Sequence, residues 1–164
     1  MTRVQLVRAD LELVDSALAG DAELSSALGV PVVPGWATFA GALEATRERL
    51  ASDPAVSAWG TRLFVAGEPP ELVGWGGFKG PPQEGTVELG YEIAERRRGR
   101  GLATASVEAM LDEALADDEV TRVIAHTLPE HNASNRVLEK TGFAFDGETT
   151  ERDTLVWRFA RASA

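Results

Sequence analysis

Arg96-x-x-Gly99-x-Gly101 lies between two segments of different periodicity, and that position suggests a chemistry. Neither glycine carries a Cβ, so a ligand can come close to the backbone. Arg96, Arg97, Arg98 and Arg100 are cationic donors suited to phosphate. A helix starting just beyond them leaves its first N–H groups, those of Leu102, Ala103 and Thr104, without intrahelical partners. These groups carry the positive end of the helix dipole, which favours an anion. A Walker A loop is excluded because no Lys follows the glycines. A dinucleotide fingerprint needs a third glycine where Thr104 stands. Its first strand is usually buried on both faces, whereas this one carries Glu88 and Glu92.

The elements around this turn are legible from spacing. Val87, Leu89, Tyr91 and Ile93 alternate with Glu88, Gly90 and Glu92, which predicts a strand. Leu102, Ala103, Val107, Met110, Leu111, Ala114 and Leu115 recur at helical spacing. Thr121 to Thr127 reads as a strand, and the strand–helix–strand order implies a right-handed crossover to a parallel neighbour. Asn132 or Ser134 is positioned to cap a following helix, with Gly142 just past its end. Earlier, Arg3 to Arg8 predicts a short strand, and Leu11 to Leu28 one or two helices broken near Gly20. Pro31 and Pro34 bracket a loop. Trp36, Phe39, Leu43 and Leu50 fit a helix ended by Asp53-Pro54. Ala58 to Val65 and Glu71 to Phe78 predict an antiparallel hairpin, and Phe143 to Phe145 with Thr154 to Phe159 a closing pair. Leu155, Trp157 and Phe159 share one face of the last strand. The glycines of Gly74-Trp75-Gly76-Gly77 admit a second backbone or a ligand.

The second motif-bearing stretch reads His126-Thr-Leu-Pro-Glu-His-Asn132-Ala-Ser134-Asn-Arg136-Val-Leu-Glu-Lys140-Thr-Gly142-Phe143. Together with Arg-Arg-Arg-Gly-Arg-Gly-Leu-Ala-Thr it resembles the GNAT superfamily of N-acetyltransferases. The resemblance is to the branch containing the ribosomal-protein N-terminal acetyltransferases. It is firm over about residues 86–147 and general before that. It implies an α/β (α+β) fold with a mixed, mostly antiparallel twisted sheet, flanking helices and a splayed central strand pair. It implies acetyl-coenzyme A as cosubstrate in that gap. The pantetheine would pair with the backbone from Tyr91 to Ala94, Ile93 included, and the pyrophosphate would sit on Arg96 to Gly101. Asn132 and Ser134 lie where the family contacts the thiol end. Two departures matter: Leu138 stands where many members carry a tyrosine acid, and Ala105 where the branch often carries Glu.

Acetyl transfer to an amine needs a proton acceptor, a donor toward the leaving thiolate and an N–H for the oxyanion. There is no cysteine for a covalent intermediate. Glu88, near the acyl end of the strand, is the expected base, through water, with Glu92 expected to be solvated. Ser134 is the first choice for the thiol's partner and Tyr91 the second; the structural alternative for Ser134 is a helix-start hydroxyl satisfying backbone N–H groups. Trp36, Trp75 and His126 are candidate walls of the acceptor pocket, although a structural role suits His126 better. His131 reads as an exposed loop residue. Two isolated histidines without cysteine make no metal site.

One hundred and sixty-four residues, 44% hydrophobic, suit a single domain spanning 1–164. No apolar run is long enough for a membrane span and no signal-peptide pattern opens the chain, so the expectation is a cytoplasmic protein without a membrane partner. A net charge of −10 disfavours a nucleic-acid partner despite the Arg run. The expected partner is a small-molecule amine or a protein N-terminus, with a homodimer left open. A non-catalytic acyl-coenzyme A sensor of the same fold is the alternative.

Overall fold

Seven strands and five α-helices form among the residues described by the computed structural model, 2–39, 41–130 and 132–163. His131, expected on a loop, lies outside them. In chain order they are β1 (Val4–Arg8), α1 (Leu11–Ala19), α2 (Asp21–Leu28), α3 (Ala42–Ser52), β2 (Thr61–Ala66), β3 (Glu71–Phe78) and β4 (Thr86–Ile93). Then follow α4 (Leu102–Leu115), β5 (Arg122–Thr127), α5 (Ala133–Lys140), β6 (Ala144–Glu151) and β7 (Thr154–Ala162). The sheet order is β1-β2-β3-β4-β5-β7-β6. Every neighbouring pair is antiparallel except β4 and β5, the crossover pair, which are parallel. No described helix is long and apolar enough to cross a membrane.

Local chemistry explains most boundaries. Asp10 caps α1 by accepting from the Leu13 N–H at 2.9 Å, and Asn132 caps α5 by accepting from Asn135 at 3.1 Å. Val107, Met110 and Leu111 of α4 are buried against the sheet, and α4 packs on β1, β4 and α5. On β3, a Cβ at Gly76 would lie 2.3 Å from the Gly90 carbonyl oxygen of β4, so these glycines serve backbone approach between strands.

Three expectations are corrected. The helix of Trp36, Phe39, Leu43 and Leu50 begins only at Ala42. Gly41, at φ 76° before its first turn, stops it there, and Trp36 and Phe39 belong to the preceding loop. β2 begins at Thr61, because Pro54–Trp59 forms a 3-10 turn. β6 runs to Glu151 and forms a hairpin with β7, which itself continues to Ala162. Its turn places Arg152 and Asp153 at φ 48° and 64°. A hairpin turn of this kind ordinarily announces itself by Asn-Gly or Asp-Gly, and here it does not. Leu155 remains exposed, while Val156 and Phe159 are buried.

Candidate active site

The parallel pair is short. Thr86, Val87 and Glu88 face Arg122, Val123 and Ile124, and the ladder stops there. β4 continues to Ile93 and β5 to Thr127 without pairing, so the two strands splay into a cleft. Glu88 offers its carbonyl and Ala94 its N–H to the β3 side. Strand alternation therefore turns the N–H and C=O of Tyr91 and the N–H of Ile93 toward the cleft, as backbone partners for an extended ligand.

Beyond Ile93 the chain passes through a 3-10 turn, Glu95–Arg97, into Gly99 and Gly101 at φ 75° and 78°. Only glycine adopts that backbone freely, which accounts for both residues. No side chain caps α4, so the N–H groups of Leu102, Ala103 and Thr104 keep their donors available. The four arginines divide. Arg97 forms a two-point ion pair with Glu71 at 2.5 and 3.1 Å, which holds the Glu71 carboxyl below its ordinary value. Arg98 donates from Nε to the Ile93 carbonyl at 3.1 Å and braces the turn against the strand end. Arg96 and Arg100 are exposed, and neither guanidinium donates a hydrogen bond within the described residues. A pyrophosphate fits this turn: αL glycines, free helix N–H groups and two uncommitted guanidiniums.

At the floor of the cleft, Glu88 and His126 meet. Glu88 Oε2 lies 3.0 Å from His126 Nδ1 and 2.6 Å from Lys79 Nζ. The same Nδ1 is 3.3 Å from Glu151 Oε1 on β6. His126 is thus not isolated, as the sequence suggested, but set between two carboxylates. Ligand atoms of Glu88, His126 and Glu151 all lie within 4.8 Å of one another. The Lys79 ammonium already supplies the positive charge beside Glu88.

The other face of β4 holds the other candidates. Tyr91 donates its hydroxyl hydrogen to the Ser134 carbonyl oxygen at 3.2 Å, tying β4 to the first turn of α5. Burial pushes the phenol up to about 12, partly offset by the Ser134 side chain. Ser134 Oγ does not cap α5, since Asn132 does the capping. Leu138 is fully buried, as an apolar residue at that position requires. Asn135, which the sequence reading passed over, is 2% exposed; its Nδ2 donates to the Glu130 carbonyl, and its Oδ1 is buried without a partner.

Glu92 corrects an expectation outright. It is buried rather than solvated. Oε1 accepts from the backbone N–H of Thr38 at 2.8 Å and from the Thr38 hydroxyl, and Oε2 accepts from Trp75 Nε1 at 2.7 Å. Trp36 stands edge-on to Trp75, with ring centroids 5.7 Å apart, and donates to Asp21 at 3.1 Å. Trp36 and Trp75, the two tryptophans expected to wall the acceptor pocket, are both buried and close over Glu92. His126 is on the same face of the sheet but belongs to the Glu88 cluster.

A parallel pair that splays beside an αL-glycine, arginine-rich helix start is the arrangement that the sequence resemblance implies. The comparison with known sequences is direct. The acetyltransferase (GNAT) domain family matches residues 3–144, and the chain belongs to that family of acyltransferase enzymes. The uncharacterized N-acetyltransferase YjdG of Bacillus subtilis is 27% identical over 152 residues, 91% of this chain and 90% of that protein. Among solved structures, the ribosomal-protein alpha-N-acetyltransferase RimL in complex with coenzyme A superposes with a TM-score of 0.68. It is 19% identical and covers 99% of this chain and 95% of that one. The aminoglycoside-bound AAC(6')-Ib, solved with ribostamycin and coenzyme A, gives a TM-score of 0.67 at 17% identity, covering 98% and 93%.

Proposed function

We propose that this protein transfers the acetyl group of acetyl-coenzyme A to a primary amine by direct attack within a ternary complex. The observation that carries the reading is the cleft itself. Its β4 edge presents free backbone groups, its mouth ends in the Gly99–Gly101 turn, and its floor holds a carboxylate between a lysine and a histidine. The amine is a protein N-terminus or a small molecule. Ribosomal-protein and aminoglycoside acetyltransferases among the structural neighbours support both classes. The acidity of the chain, net −10, suits a cationic acceptor.

Residues on opposite faces of β4 divide the work. Glu88 is the base for the amine proton, acting through water. Tyr91 and Ser134 face the thiol end. A thiol ordinarily titrates near 8.5, so full proton transfer from a phenol at about 12 is uphill by roughly 5 kcal/mol. Tyr91 therefore serves as a hydrogen-bond donor, its hydroxyl turning from the Ser134 carbonyl to the sulfur. Ser134, through its hydroxyl, plays the same part more weakly, and the thiolate takes its proton from the attacking nitrogen or from solvent.

The test is cofactor binding. Acetyl-coenzyme A should raise the thermal midpoint of the wild type by several degrees. Gly101→Val, strained at φ 78°, should lose that shift, and Arg96→Ala should reduce it. An undiminished shift in Gly101→Val defeats the turn assignment. Release of coenzyme A against a panel of peptides, polyamines and aminoglycosides then identifies the acceptor.

A further inference from the structure

His126 lies beside Glu88 where β4 and β5 part, and its hydrogen bonds define which ring nitrogen is available. Glu88 is the last β4 residue paired to β5, opposite Ile124. His126 follows Ile124 by two positions on the same face of β5, just past the point where the strands part. Its Nδ1 is within hydrogen-bond distance of two carboxylate oxygens, Glu88 Oε2 at 3.0 Å and Glu151 Oε1 at 3.3 Å. An ionised carboxylate only accepts. The Lys79 ammonium, which has only donors, also donates to that Glu88 oxygen, at 2.6 Å. Nδ1 therefore carries the hydrogen, and the lone pair of the neutral ring is on Nε2. Nε2 makes no hydrogen bond within the described residues, and the side chain retains 11% exposure. Arg158, across from His126 on β7, is turned to Asp146 at 2.9 Å and does not compete for the ring. A carboxylate holding Nδ1–H while Nε2 points free is the arrangement that makes an imidazole a general base.

We infer that the group standing between Glu88 and the acceptor amine is the imidazole of His126 rather than water. His126 is then the catalytic base, and Glu88, with Glu151, is a positioning residue that fixes its tautomer. The inference rests on the acetyl-transfer reading above. The acceptor ammonium gives one proton to Nε2. The neutral amine attacks the thioester carbonyl, forming the C–N bond and a tetrahedral oxyanion. Collapse breaks the C–S bond, and the second proton passes from nitrogen to the departing sulfur. The proton on His126 is then released to solvent, leaving amide and free thiol.

The experiment has two arms. The first is turnover with the best amine of the panel at saturating acetyl-coenzyme A. His126→Asn keeps a donor toward Glu88 but has no basic nitrogen, and kcat should fall by about 10²- to 10³-fold with the cofactor-induced thermal shift retained. His126→Gly should fall as far and recover at least about tenfold on adding imidazole, a gain within the reach of one general base. Glu88→Gln should be impaired less than His126→Asn. The second arm needs no acceptor. The chain has two histidines, so 15N-labelled imidazole spectra are readily assigned with His126→Asn. Wild-type His126 should show the Nδ1–H tautomer, and Glu88→Gln should mix in the other. A His126→Asn variant within about threefold of wild type, or an Nε2–H tautomer in the wild type, overturns the inference and leaves Glu88 acting through water. Wild-type protein that binds acetyl-coenzyme A but acetylates no amine overturns the acetyl-transfer reading, and this inference with it.

Discussion

Glu88 and Glu92 are on the same strand and the same face, four residues apart, and their circumstances are opposite. Glu92 is sealed under the loop before α3, with both oxygens committed to neutral donors of Thr38 and Trp75. Glu88 lies at the floor of the cleft, with a lysine and a histidine on one oxygen. A buried carboxylate satisfied by fixed neutral donors holds structure in place. One in contact with groups that titrate or move can exchange protons. The strand supplies the same side chain twice, and the covering loop decides which is structural and which is reactive.

That contrast can be broken by mutation, and the largest effect is expected at Glu92. Glu92→Ala strands the Thr38 and Trp75 donors, and we expect it to destabilise the protein by about 3 kcal/mol. For a chain of this length that is a fall of roughly 6–12 °C in Tm. A loss below 1 kcal/mol in urea unfolding would make the loop independent of Glu92 and erase the distinction. Glu88→Gln should cost no more than about 1 kcal/mol, the scale of a partly exposed ion pair, while turnover falls. If the stability losses rank the other way round, the roles of the two carboxylates are exchanged.

Tyr91 gives the smallest effect and an optical readout. It is the chain's single tyrosine, so phenolate absorbance reports it alone. The folded protein should titrate near 12 instead of the ordinary 10. Its folded value is raised, so the unfolded chain loses the proton first as pH climbs. The stability Tyr91 contributes is therefore complete below pH 10 and is lost between pH 10 and about 12. Tyr91→Phe should flatten that part of the stability profile and otherwise cost no more than about 1 kcal/mol. A midpoint at 10 in the folded state would mean that the phenol is solvated and free of Ser134.

What could be read in the sequence was local. The glycine–arginine turn, α4, the Asn132 cap and the parallel crossover are each written within a short stretch, and the structure has them there. What could not be read was set at long range. Glu92 is buried by Thr38, 54 positions away. His126 is fixed by Glu88, 38 positions away, and by Glu151. Glu151 was out of view because Asp146-Gly147-Glu148-Thr149-Thr150 lacks apolar alternation and the Arg152-Asp153 turn lacks glycine, so β6 read as too short. Trp36 was placed on a helix because its spacing to Leu43 and Leu50 is helical, although Gly41 interrupts the backbone between them.

The short seam between β4 and β5 also has a kinetic consequence. Three residue pairs join two antiparallel ladders of unequal locality. The β5–β7–β6 ladder closes within residues 122–162, whereas β1 must find β2 across the loop from Arg8 to Arg62. Short loops close at lower entropic cost and local contacts form sooner. We therefore expect the C-terminal ladder to gain protection first in pulse-labelled hydrogen exchange, with the cleft appearing only when the N-terminal ladder docks along that seam. Amides of β1 protected before those of β7 would reverse the order.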